Sequence, residues 1–150
     1  MDAVQTSPSL WAGEWSLDQS SALTAGTLVD HLGIRFVAIA QDAPTAEMVV
    51  GERTSQRMGY LRGGASLAMA ETVESLASQM AVDREQFAAL GLDINANHVR
   101  PVAEGELVRA IAKPLYVGRQ THVWEVRHES SIKLICIARL TTWIQARRNN

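Results

Sequence analysis

The chain has a single cysteine, Cys136, so no disulfide can close within it and nothing in it asks for an oxidising compartment. It has no basic excess either: 14 Lys and Arg stand against 16 Asp and Glu, a formal net charge of -2. That balance speaks against a nucleic-acid binder. No apolar run approaches the ~20 residues that a bilayer span requires. Met1-Asp2-Ala3-Val4-Gln5 has no basic start followed by an apolar core, so no secretory signal is read and a cytoplasmic setting is expected. There is no Gly-x-Ser-x-Gly elbow, phosphate-binding P-loop or dinucleotide fingerprint. His31, His98, His122 and His128 are scattered, and no two have metal-ligand spacing within one element, so no metal site is expected. Cys136 sits among Leu134, Ile135, Ile137 and Ala138 and reads as a core thiol rather than a nucleophile.

What the 150 residues do supply is the apolar content of one ordinary globular domain, 47% hydrophobic and 20% charged. The first dozen residues are small and polar. Trp11 and Trp15, four apart, suggest a short helix that docks this tail onto the domain. Thr24 is placed to cap a helix over residues 25–31 that Gly33 would end. From Ile34 the period changes to that of a strand, 34–40; Asp42-Ala43-Pro44 turns the chain, and 45–50 returns. Further strands are expected over 92–99, 107–117, 121–129 and 134–144, with 83–91 a charged, irregular stretch. Two strands, one long helix and four strands predict an α+β fold whose mostly antiparallel sheet wraps the helix. Apolar residues on both faces of the later strands predict at least a dimer.

The long helix follows a polar loop, Arg53 to Arg62, and opens at Gly63-Gly64. It is expected to run to about Val82, and it is almost wholly small and apolar, which predicts burial against something broad. Within it stand Glu71 and Glu74. A carboxylate buried there is costly unless paired or neutralised; on the residues alone, the polar edge of the helix is the favoured reading of both. Two glycines at a helix start permit close approach to a ligand and leave N–H groups free. Those donors and the helix dipole favour developing negative charge. Ser75 follows Glu71 at i+4 on the same face. A carboxylate, a hydroxyl and a backbone donor are a sufficient set for acyl transfer.

Gln56, Leu61-Arg62-Gly63-Gly64-Ala65-Ser66, Ala70-Glu71 and Ser75 resemble the active-site segment of hotdog-fold acyl-CoA thioesterases. The branch is that of the 4-hydroxybenzoyl-CoA, 1,4-dihydroxy-2-naphthoyl-CoA and enterobactin proofreading thioesterases. The likeness continues through residues 93–102, Glu104-Gly105, 113–115, Gly118-Arg119-Gln120, Val123-Trp124 and 139–142. It covers roughly residues 15 to 146, leaving 1–14 as an N-terminal tail and 147–150 as a basic C-terminal tail. The resemblance implies a hotdog fold, a homotetramer built as a dimer of dimers, and active sites between subunits. It implies Glu71 as nucleophile or general base, the Gly63 amide as polariser of the thioester carbonyl, Gln56 as a positioning group and Ser75 beside Glu71. Arg100, Gly118, Arg119 and Gln120 match positions lining coenzyme A, and His98 matches either a pocket wall or a structural histidine. Arg147 and Arg148 are available to phosphates or to solvent. The substrate implied is an acyl- or aryl-CoA, or an acyl group on a carrier protein. No separate cofactor is implied, coenzyme A being part of the substrate, and neither a nucleic acid nor a membrane is expected as partner.

One departure stands in the loop, where the family's His-Gly-Gly-Ala is here Arg62-Gly63-Gly64-Ala65. Arginine is permanently charged and only donates. It can keep the electrophilic role by donating to the carbonyl, or it can pair with Glu71 and hold it from substrate. The first gives a working enzyme; the second gives an acyl-CoA or acyl-carrier binding protein with little turnover. Glu74 would add a second charge near the site. A hotdog dehydratase is a weaker third reading, because Arg62 removes the histidine that chemistry needs.

Overall fold

The computed structural model describes residues 9–147. Its elements are α1 (Leu17–Thr24), α2 (Leu28–His31), β1 (Arg35–Ile39), β2 (Pro44–Val49), α3 (Gly63–Met80), β3 (Phe87–His98), β4 (Leu107–Val117), β5 (Thr121–Ser130) and β6 (Lys133–Ala146). The strands form one six-stranded sheet in the order β1-β2-β4-β5-β6-β3, antiparallel at every step. This is the α+β arrangement the period changes predict, with α3 lying against five of the six strands.

Alternation along the strands builds the core. On β5 every second residue is buried, His122, Trp124, Val126, His128 and Ser130. Val108, Ala110 and Ala112 do the same on β4, because side chains of a strand point to opposite faces in turn. Ala70 and Ala77, both fully buried on α3, let its backbone come close to the sheet. The helix therefore buries its small residues where a larger one would hold it off.

Four expectations are corrected. The helix expected over 25–31 forms only in its second half, as α2, because Gly26, at φ +73°, breaks the chain before it. Ser16 and Gln19 make a capping box that starts α1, and Thr27 caps the short α2. Trp11 and Trp15 are on no helix. The Trp11 indole donates to the Ala40 carbonyl at 2.7 Å and its ring stacks on Trp124 at 6.4 Å; the Arg84 guanidinium lies 5.3 Å from the Trp15 ring centre. The two rings still fasten the segment before α1 to the domain, as anticipated. Strand β3 begins at Phe87 rather than Leu92, because Phe87 to Leu90 pair with the end of β6. Helix α3 ends at Met80, two residues early.

Trp11→Ala should destabilise the fold by about 2 kcal/mol, from a lost ring contact and an unmet carbonyl. A urea midpoint that falls while the slope stays constant would report it; an unmoved midpoint would mean that the stack contributes nothing.

Candidate functional site

The loop before α3 is held by its own backbone. Ser55 bridges to Leu61 and Tyr60 to Ala103, Arg62 N donates to Thr54 O at 2.8 Å and Leu61 N to Val102 O at 2.8 Å. This delivers Gln56 and Gly63 to one cleft of about 480 Å³, with His98 and Arg100 on its far wall. The Gln56 side-chain oxygen accepts the Met58 N–H at 2.5 Å, which leaves its amide NH₂ to donate elsewhere. The His98 ring rests on Gly63: a Cβ at that glycine would stand 3.2 Å from His98 Cε1. Among the described residues, the N–H groups of Gly63 and Gly64 have no acceptor, as expected of the first turn of a helix. Arg62 is the N-cap, makes no side-chain cap and is exposed. The ion pairs among the described residues are Arg84–Glu85, Arg109–Glu47 and Arg127–Glu125. Within a protomer Arg62 therefore does not neutralise Glu71.

Glu71 stands elsewhere. Eight residues along α3 separate it from Gly63, a rise of ~12 Å. It is exposed on the isolated protomer, where the apolar helix suggested a buried carboxylate. Its Oε1 lies over the backbone of β3, 3.6 Å from where a Cβ on Gly91 would be. Ser75 is its neighbour one turn on, with the hydroxyl turned toward Glu74 Oε2 at 3.4 Å. The Gly118-Arg119-Gln120 turn joins β4 to β5 at this same end of the sheet: Gly91 pairs with Thr142, and Thr142 with His122. The protomer thus divides the sequence candidates into two groups. Gln56, Arg62, Gly63, His98 and Arg100 gather at one end; Glu71, Ser75, Gly118, Arg119 and Gln120 belong to the other. Arg100 is drawn away from the turn it was grouped with, and its Nη1 donates to Leu134 O at 2.6 Å. Arg147 turns back on its own chain, its Nε donating to Arg84 O at 2.7 Å; Arg148 lies outside the described residues.

The buried carboxylate is Glu74, with no exposure at all. Ser78 Oγ lies 3.0 Å from its Oε1, 3.2 Å from Thr142 Oγ1 and 3.3 Å from His122 Nδ1. The same oxygen accepts the Trp124 indole N–H at 2.8 Å. Burial pushes the Glu74 carboxyl up to about 7, against the lowering pull of the Ser78 and Ser75 hydroxyls, and the charge of Glu71 adds to the rise. Burial likewise lowers His122, and it raises the Cys136 thiol to about 11, which keeps that thiol in the core role expected of it. Sequence reading missed this network. Only the i,i+4 pair Glu74 and Ser78 could have signalled it, since the other members come from β5 and β6.

Three comparisons bear on this geometry. A model of the thioesterase superfamily matches residues 58–132. The 1,4-dihydroxy-2-naphthoyl-CoA hydrolase of Escherichia coli is 40% identical over 136 residues, 90% of this chain and 98% of that one. The proofreading thioesterase EntH of Cronobacter turicensis is 39% identical over 134 residues, 89% and 96% of the two chains. A crystal structure of a mutant thioesterase from Pseudomonas aeruginosa superposes with a TM-score of 0.90 at 41% identity, covering 93% of this chain and all of the other. The six-stranded antiparallel sheet around a central helix is the hotdog fold of these neighbours.

Proposed function

Because the chain belongs to the thioesterase superfamily, we propose that it hydrolyses an acyl- or aryl-CoA thioester to the free acid and coenzyme A in a site shared by two copies of the chain. The observation that carries this reading is the division of the candidates described above. Among the described residues Glu71, half-way along α3, has no hydrogen-bond or ion-pair partner, and the Gly63 amide at the helix start has none either. A second protomer laid against the first can bring one group to the other. Strand β3 offers the means: it is twelve residues long and sits at an edge of the sheet. Its outer backbone groups are a template for pairing with another chain. Leu90, Leu92 and Val99 are exposed along and just beyond it. Pairing of two such dimers would give the homotetramer.

In that site Glu71 either takes a proton from water, whose oxygen attacks the thioester carbon, or attacks that carbon itself to form an anhydride that water then opens. The carbonyl oxygen gains negative charge and is held by the N–H of the partner's Gly63 and by the helix dipole. The C–S bond breaks, the electron pair leaves on sulfur, and the coenzyme A thiolate takes up a proton. Gln56 directs its NH₂ at the carbonyl or the water, and Ser75 flanks the carboxylate. Arg119 and Gln120 on their turn, with Arg100 of the other protomer, suit the polar nucleotide end. The carboxyl and thiol products require no cofactor.

The direct test is thiol release from a panel of acyl- and aryl-CoA thioesters, with acyl carrier protein thioesters beside them. Tight binding without release would favour the acyl-binding reading. Arg62→His separates the two further. The Arg62 side chain has no partner among the described residues and the polarising donors are backbone amides, so kcat/KM should change by less than about tenfold. A rise of two orders of magnitude would mark the native loop as impaired and support a binder.

A further inference from the structure

We propose that the cleft between α2 and α3 holds the acyl group of the substrate and selects aliphatic chains over hydroxylated aromatic rings. This rests on the thioesterase reading above and adds to it the class of acyl group. The cleft has a volume of about 420 Å³, within the range of pockets that enclose a small ligand. Glu71 and Ser75 belong to its wall, so an acyl chain lying in it has its carbonyl carbon next to the carboxylate that would act on it. Glu71 also borders a second cleft along Gly91 to Ile94 of β3. That one faces the edge where a second copy would pair, which leaves the α2–α3 cleft as the protomer's own.

Most of the rest of its lining is apolar, with Leu23, Leu28, Val29, Leu32, Ile34 and Leu76 prominent. Leu23 and Leu28 are 53% and 63% exposed, apolar surface that a bound chain would take out of water. Each methylene so buried is worth about fourfold in affinity. The polar side chains in the wall are already engaged. Thr24 Oγ1 donates to the carbonyls of Ser20 or Ser21, both at 3.2 Å, and Thr72 Oγ1 to Ala68 O at 2.7 Å. Ser75 is turned to Glu74. The Gln79 amide is tied at both ends to β3, donating to Phe87 O at 3.3 Å and accepting from Ala89 N at 3.2 Å. A hydroxyl on an aromatic ring would lose its water here and meet hydroxyls whose own protons are already committed, so that among the described lining residues the strongest acceptor open to it is the Glu71 carboxylate. Occupying that carboxylate removes it from the reaction. A site without a matched partner rejects a polar group at a cost of roughly tenfold or more.

The test uses the full chain with butyryl-, octanoyl-, benzoyl- and 4-hydroxybenzoyl-CoA. Octanoyl-CoA should exceed 4-hydroxybenzoyl-CoA by at least tenfold in kcat/KM, mostly through KM, and butyryl-CoA should fall well below octanoyl-CoA. Leu28→Gln, at an exposed position that the fold does not depend on, should reduce the octanoyl advantage by about fivefold or more. Binding of the unreactive thioethers S-octyl-CoA and S-(4-hydroxyphenacyl)-CoA, measured by calorimetry, keeps the two claims apart. No turnover of any thioester would sink the hydrolase reading, while tighter binding of the octyl compound, weakened by Leu28→Gln, would still uphold the cleft. Equal or better binding and turnover of the hydroxylated ring would overturn the assignment, as would an octyl preference that Leu28→Gln leaves untouched.

Discussion

Replacing Glu71 with glutamine should lower kcat/KM for thioester hydrolysis by about three orders of magnitude, since the residue loses both its basicity and its nucleophilicity. The side chain is exposed on the protomer, so the melting temperature should stay nearly constant, surface changes being worth within about 0.5 kcal/mol. A near-normal rate in the variant would remove Glu71 from the chemistry. The proposed sharing of the site between two copies allows a sharper form of the experiment. Gly63→Pro removes the N–H at the first helical position, where proline is tolerated, although its ring must displace His98. If each site takes Glu71 from one protomer and Gly63 from the other, a refolded mixture of the two inactive variants should recover about a quarter of wild-type activity, because half the dimers are mixed and each carries one intact site. A site contained within one protomer would recover nothing.

The second large effect concerns Glu74 and the pH dependence of stability. Its carboxyl is raised from 4.5 to about 7 in the folded chain. Between those values the native state holds a proton that the unfolded chain has released, so stability falls as pH rises through this window and levels off above it. The loss amounts to about 3 kcal/mol at 1.36 kcal/mol per pH unit. The buried histidines oppose it. His122 is lowered by burial and His128 is lowered to about 4 by the same cause, so their contribution is present above about 6.5 and is lost as pH falls below it. The wild-type curve sums both slopes, and only a difference curve isolates the carboxyl. Glu74→Gln keeps an acceptor for Ser78 and does not titrate. It should match wild type near pH 4.5 and exceed it by about 3 kcal/mol at pH 8, read from urea midpoints. A difference that is the same at both pH values would mean that Glu74 titrates normally.

The glycine pair and the polar loop located the start of α3 because they punctuate the chain just before a long run of small and apolar residues with helical spacing. The strands from Leu107 onward were legible for a different reason: alternation survives wherever one face is buried, and β4 runs over the expected residues. Boundaries failed where pairing overrode composition. Phe87 to Leu90 look like the end of a charged connection, and only their ladder to β6 makes them strand. The two carboxylates of α3 carried the costlier ambiguity. Three residues separate Glu71 from Glu74, about 300° around the helix axis, and which of them meets the sheet depends on the helix's rotation.

The chain alone determined its class and its chemical repertoire. Period, turn residues and the Gly63-Gly64, Glu71, Ser75 set are local properties, written in spacing along one strand or one helix. Tertiary packing decided what those groups face. It set Ser78, which holds Glu74, against His122 and Trp124, 44 and 46 residues from it in sequence on β5, and left Glu71 in the open above Gly91. It also fixed Gly63, at the start of α3, about 12 Å along the helix axis from Glu71, half-way down it. Burial and separation arise when distant segments meet, and no window of sequence contains both partners of such a contact.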